Sequence, residues 1–400
     1  MSMMKMDILQ DSESFSKELF GKMMEVNAGL SELEHYEFRY CLKDWIPEKG
    51  WESISLETRD EIESRMAARE FYDRIQIKPK VKGKIVLDAE IARLTQMLFV
   101  GLVTGNYSIE WINNCFYFDI RGFYFLYRTQ YFNDEIKAHF GGGPYRQFEQ
   151  KQRAFGCCQD VGYKAFQEAN AEVDRLFIES VKNLISVLGV PITIAIAGPT
   201  AAGKTEIVER LNETVRQEGK SAASIELDNF LTDRDYREEK GIHSEGKEAL
   251  HFELFKQTLQ DITQGKRIII PRYDFIEATS SHDLTGRLKP GGVPIEIDPA
   301  DIIFIEGNFP FLIEGVAPLI GIKAVYLTDD PIRLKRKWKR DVDYRKKYDF
   351  NYFRNRYFKE QFIMAEIAYR PQMKACDLMV DTTGAALWAT PEIQRILDGK

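Results

Sequence analysis

The run Gly198-Pro199-Thr200-Ala201-Ala202-Gly203-Lys204-Thr205 spaces glycine, lysine and a hydroxyl so that they can hold a polyphosphate. Glycine is needed where backbone amides must come close to phosphate oxygens, and amides at the start of a helix meet an anion with the favourable end of the helix dipole. Gly198, Ala201, Ala202 and Gly203 would form the cradle. Lys204 would reach the β- and γ-phosphates, and the Thr205 hydroxyl would join a Mg²⁺ shell, so ATP or GTP with Mg²⁺ is the expected ligand. The pattern is short, and a glycine turn before a helix needs no ligand. Its context argues for nucleotide: the apolar, β-branched run Ile192–Ala197 precedes it, and an amphipathic stretch, Thr205–Glu218, follows.

A phosphate loop does not by itself choose between kinase, hydrolase and switch. A kinase adds a group that takes the proton of the attacking hydroxyl and cations that screen the phosphoryl in flight. Asp228 stands at the end of a second strand candidate, Ser221–Leu227, where it is either that base or a helix-capping surface acid. Glu306 ends the apolar run from Ile302 and either holds Mg²⁺ through water or faces solvent. A basic run spans Arg333–Lys347, with Lys335, Lys339, Lys346 and Lys347 among its cations. Helical spacing puts Arg336, Lys337 and Arg340 on one face, fit either to close over phosphates or to form a solvated or RNA-contacting surface.

The elements around these residues alternate. Apolar strand candidates at Ile192–Ala197, Ser221–Leu227, Ile268–Ile270, Ile302–Ile305, Ala324–Leu327 and Leu378–Val380 are separated by helical stretches such as Thr205–Glu218 and Phe252–Gln264. That order implies an α/β fold, a parallel sheet with helices on both faces and the ligand at the carboxyl ends of the strands. A helical segment, Phe166–Leu188, stops at Gly189-Val190-Pro191. We therefore expect a P-loop kinase domain over residues 186–400, preceded by a separate, mostly helical or α+β domain over residues 1–185. In the latter, Leu56–Arg74 and Ala89–Val103 read as helices and Tyr107–Asn133 as antiparallel strand. Its aromatics, among them Trp111, Phe116, Phe118, Phe123 and Phe125, read as core.

Composition sets the outer limits. The chain has 400 residues, long enough for two domains, and is 44% hydrophobic and 29% charged, as in globular proteins. A net charge of -7 speaks against nucleic acid and anionic lipid as partners. The cysteines Cys41, Cys115, Cys157, Cys158 and Cys376 form no C-x-x-C pair, and neither a leader-like segment nor a bilayer-length apolar run is present, so a cytoplasmic protein is expected.

Five ordered segments then resemble the uridine kinase and phosphoribulokinase family over about Pro191–Thr383. They are the phosphate loop, Asp228-Asn229-Phe230, Gln264-Gly-Lys266 with Pro271-Arg-Tyr273-Asp274-Phe275, Phe304-Ile-Glu306-Gly307, and Arg333 through Asp341. The resemblance implies Asp228 as catalytic base and Glu306 as the acidic Mg²⁺-site residue. It implies Lys337, Arg340 and Arg345 as lid cations on phosphates or substrate, and Tyr273 and Phe275 as walls of the acceptor pocket. Uridine kinases usually place a histidine after the Tyr-Asp-Phe segment to read the pyrimidine; here Ala278 stands there, which leaves the acceptor open. His282 is displaced from that position, and His243 and His251 carry no signal of their own. The activity implied is transfer of the γ-phosphoryl of ATP to a hydroxyl of a small metabolite, of the nucleoside, sugar or sugar phosphate class. A nucleotide-regulated binding protein and a polynucleotide kinase are the alternatives. The N-terminal half is open to three roles: a substrate-recognition lid, a dimerisation module in a homo-oligomer, or a second activity.

Overall fold

The computed structural model describes residues 3–67, 78–81, 84–86, 89–120, 122–148, 163–242, 247–328, 333, 336–337, 340–341, 345 and 363–400. Cys157, Cys158, His243 and the cations Lys335, Lys339, Lys346 and Lys347 lie outside them. The chain divides into two compact units, one built mainly from Met1–Gln130, the other from Tyr131–Gln152, Gln167–Lys347 and Met364–Lys400. The second unit thus takes in chain well before residue 186.

The first unit is mostly helical. Helix α1 (Ser12–Val26) starts at Asp11, whose carboxylate accepts from the amides of Glu13 and Ser14, and it buries Phe15, Leu19 and Met23. Helix α2 (Ala89–Thr104) is apolar almost all round and correspondingly buried from Leu94 onward, except Gln96. Strands β1 (Phe116–Asp119) and β2 (Tyr124–Tyr127) form an antiparallel hairpin, as the alternation in that stretch suggested. Phe99 of α2 lies 5.8 Å from Phe125 and 6.1 Å from Phe118, ring centre to ring centre, and Trp51 stacks on Phe15 at 4.3 Å. The aromatic-rich stretch is therefore core, and Phe116 and Phe125 have no exposed surface with which to stack a base.

The second unit is a sheet covered on both faces. Its elements include β3 (Arg146–Gln147), α3 (Tyr163–Leu188), β4 (Ile192–Ala197), α4 (Lys204–Gln217), β5 (Ala222–Glu226), α5 (Arg234–Glu239), α6 (Phe252–Thr263), β6 (Ile268–Ile270), β7 (Tyr273–Asp274), β8 (Thr279–Ser280), β9 (Ile295–Ile297), β10 (Ile302–Gly307), β11 (Ile322–Leu327), α7 (Arg370–Met373), β12 (Leu378–Asp381) and β13 (Ala386–Ala389). The main sheet has seven strands in the order β3-β13-β12-β11-β4-β10-β5. Strands β12, β11, β4, β10 and β5 run parallel; at one edge β13 runs antiparallel to β12, and β3 antiparallel to β13. Every residue of β4 and β10 is buried. Side chains alternate between two cores: Ile192, Ile194 and Ile196 pack with α3 and α4, whereas Ala195, Ala197 and Ile305 pack with α6 and the segment around Tyr369.

One expected strand lies elsewhere. Ile268–Ile270 pairs antiparallel with β9 in a sheet of two strands, outside the parallel array, and its middle residue, Ile269, is 55% exposed. Three consecutive isoleucines conceal the alternation that would mark a half-exposed strand. Among the described residues no helix is long and apolar enough to cross a membrane.

Candidate functional site

Register in the main sheet builds the site. Glu306 of β10 lies opposite Ile196 of β4 and Glu226 of β5, so the ends of three strands reach the same level. From there β4 runs into the phosphate loop, β5 into the single turn Leu227–Phe230 that carries Asp228, and β10 into Gly307 and Asn308. A Cβ on Gly307 would stand 2.6 Å from that of Leu227, so only glycine lets this turn lie so close.

The loop itself is tightly held. Gly198 has φ +152°, and a Cβ there would sit 2.2 Å from the Tyr326 carbonyl oxygen. A backbone atom cannot step aside as a flexible side chain can. Gly198→Ala is therefore expected to lower stability by about 2–4 kcal/mol, read as a drop in urea midpoint; a midpoint equal to wild type would contradict this account. Gly203 (φ +106°) and Ala201 (φ +62°) adopt left-handed backbone as well, which turns the chain from strand to helix. The Tyr326 hydroxyl donates to Asp174 of α3 at 2.6 Å, and Arg210 of α4 pairs with the same carboxylate at 2.6 Å.

Thr205 follows on the first turn of α4, and its hydroxyl donates to Glu306 at 2.7 Å. The Lys204 ammonium donates to the carbonyls of Gly198 (2.9 Å) and Pro199 (3.0 Å) and to Asn308 Oδ1 (3.3 Å). Gln372 of α7, fully buried, holds the Asn308 carbonyl at 2.7 Å. Burial lowers the Lys204 ammonium to about 8, against the pull of Glu306 and Asp228 and with Arg340 and Arg333 adding to the fall. Burial likewise pushes the Glu306 carboxyl up to about 7; Lys204 and the Thr205 hydroxyl oppose the rise, while Glu226 and Asp228 add to it.

This has a consequence for stability. Without nucleotide, the folded state keeps a proton on Glu306 that the unfolded chain loses near its ordinary value of 4.5. The favourable contribution is complete below about pH 4.5 and is lost as pH rises to about 7. Glu306→Gln cannot ionise, and it is expected to gain about 3 kcal/mol over wild type at pH 8 and almost nothing at pH 4.5. Paired urea melts at the two pH values measure it, and an equal difference at both would refute it.

The basic segment meets the loop from the other side. Arg333, 1% exposed, donates to the carbonyls of Thr328 (2.9 Å) and Thr200 (3.2 Å) and to the Tyr131 hydroxyl (2.7 Å). Arg336 reaches the Ala202 carbonyl at 3.2 Å, and Arg340 reaches Thr200 Oγ1 at 3.0 Å. Lys337 is buried, and Arg345 lies with its guanidinium 4.1 Å from the centre of the Phe275 ring. Tyr273 and Phe275 pack edge to face at 5.1 Å, and the Tyr273 amide donates to Asn229 Oδ1 at 3.3 Å. The structure thus gathers Lys204, Thr205, Asp228 and Glu306 at one end of the sheet, with Arg340 on the loop and Arg345 on the aromatic pair.

Asn308 and Gln372 join this site without having been singled out in the sequence, whereas Arg333 and Arg336 belong to the basic run read there. The asparagine directly after Glu306-Gly307 was the one local signal. Ala278 is buried in the turn between β7 and β8, with φ +60°. His251 and His282 are also buried, each near a serine hydroxyl: Ser280 at 3.4 Å from His251 and Ser281 at 2.9 Å from His282.

The family model described as the phosphoribulokinase and uridine kinase family matches residues 193–387. A uridine kinase of Lactobacillus helveticus is 32% identical over 156 residues, which cover 38% of this chain and 68% of that protein. A uridine kinase of Halobacterium salinarum is 30% identical over 152 residues, covering 37% of this chain and 62% of that protein. The chain thus spans about three fifths of the length of that relative. Among solved structures, phosphoribulokinase from Rhodobacter spheroides aligns over 47% of this chain and 70% of its own, at 16% identity and a TM-score of 0.35. With its phosphate loop, its strand-end acids, the family-model match and the likeness to the Lactobacillus helveticus enzyme, the chain belongs to the phosphoribulokinase and uridine kinase family.

Proposed function

We propose that the chain moves the γ-phosphoryl of ATP to a hydroxyl of a small metabolite. The observation that carries this reading is the meeting of Lys204, Thr205, Glu306 and Asp228 at the ends of three adjacent strands, with Thr205 hydrogen-bonded to Glu306. Family membership and the uridine kinases it resembles support it.

The acceptor hydroxyl loses its proton to Asp228 as its oxygen bonds to the γ-phosphorus, and the bond from that phosphorus to the bridging oxygen breaks to leave ADP. Lys204 and Arg340 would offset the charge that spreads over the phosphoryl oxygens, and the amides of the loop would add fixed dipoles. Thr205 and Glu306 place a hydroxyl and a carboxylate side by side, which suits Mg²⁺, a cation that takes one or two protein oxygens and keeps water and phosphate for the rest. Held by Thr205 and Glu306, Mg²⁺ would supply positive charge to offset that of the phosphates. Arg333 and Arg336 donate to carbonyls of the loop, at Thr200 and Ala202, and so brace its shape.

The test is direct. With ATP, Mg²⁺ and a panel of nucleosides, sugars and sugar phosphates, at least one acceptor should yield a phosphorylated product and stoichiometric ADP. ATP binding with no product from any acceptor would favour a nucleotide-regulated binding protein instead.

A further inference from the structure

Arg237 of α5 is 5% exposed, yet its hydrogen bonds go to neutral oxygens: the Thr232 carbonyl at 2.7 Å and the Tyr273 hydroxyl at 3.0 Å. No carboxylate among the described residues pairs with it. A guanidinium this far from water is ordinarily matched by an anion, because stripping its hydration without one is costly. It also lies 5.6 Å from the centre of the Tyr273 ring, so Tyr273 and Phe275 are flanked by two guanidiniums, that of Arg237 and that of Arg345. The aromatic pair adjoins the base candidate through Asn229, the residue after Asp228.

The same geometry removes means of reading a neutral base. The Tyr273 hydroxyl already accepts from Arg237, which leaves it one hydrogen to donate. Ala278 offers only a methyl group, and its carbonyl is taken by the Arg234 amide at 2.9 Å, which ties α5 to the turn. What remains beside the aromatic pair is positive charge and a forked donor suited to two anionic oxygens.

We infer that the acceptor already carries an anionic group, phosphate or carboxylate, and that Arg237 is the residue that binds it. This rests on the kinase reading and narrows its substrate class. The full chain with ATP and Mg²⁺ is offered matched acceptors, ribose and ribose 5-phosphate, glycerol and glycerate, together with uridine and cytidine. ADP release reports turnover, and the ATP-induced rise in melting temperature reports nucleotide binding separately. The anionic member of at least one pair should exceed its neutral partner, and both nucleosides, by about 30-fold or more in kcat/KM. Arg237→Gln should erase that preference by raising KM while the ATP-induced shift is kept, and Arg237→Lys should restore part of it. Turnover that favours the neutral alcohols or the nucleosides overturns the inference and leaves the kinase standing, as does an unchanged preference in Arg237→Gln. An ATP-induced shift without ADP release from any acceptor overturns the kinase reading and this inference with it. The wild-type preference needs no variant, so a misfolded substitution does not rescue the idea.

Discussion

Asp228→Asn is expected to lower kcat by about 10²–10⁴-fold with little change in ATP affinity. The amide keeps the size of the carboxylate and the turn Leu227–Phe230 in which it sits, so what is lost is the capacity to take a proton. In the proposed reaction ATP would meet the loop at the end of β4, a different strand, which is why binding should persist. Single-turnover measurement with a saturating acceptor separates the chemical step from product release. A variant that keeps more than a tenth of wild-type kcat would remove Asp228 from the role of base and point to water or to Glu226, which ends β5 two residues earlier.

Lys204→Met is the second large effect, about 10²–10³-fold in kcat/KM, because the proposed role of this partly buried ammonium is to offset charge on the phosphoryl, and such a charge is screened less than one at an open surface. Glu306 and Asp228 keep the lysine charged near neutrality although burial draws it down to about 8. Activity as kcat/KM should accordingly fall as pH rises through about 8, where the free protein loses that proton. A flat profile to pH 9.5 with intact folding would show that Lys204 does not titrate there.

Strands buried on both faces announce themselves as apolar runs, so β4, β10, β11 and β12 were legible, and so were the acids that end two neighbouring strands. The edge strand β3 was not: Arg146 and Gln147 are exposed polar residues with no period, and they pair with β13 across some 240 positions of chain. Ala386–Ala389 mixes small and aromatic residues, a weak strand signal, and becomes a strand by pairing with β12. The Asp174, Tyr326 and Arg210 cluster and the bond between Gln372 and Asn308 share this character. Each joins residues far apart in sequence, and no local pattern carries such a pairing. Arg237 was invisible for another reason, since a charged residue in a polar helix reads as surface until its burial is seen.

The strand order also bears on how the second unit comes to exist during synthesis. Strand β4 hydrogen-bonds to β10 and β11, each more than a hundred residues further along, and the sheet closes at one edge only when β13 meets β3. Such pairings must bear the entropy of long loops before any stabilisation arrives. The phosphate loop therefore leaves the ribosome well before its neighbours, its strand apolar on both sides and unpaired. Until β10 and β11 emerge, that strand is the part of the chain most exposed to misassembly and most dependent on holdase chaperones.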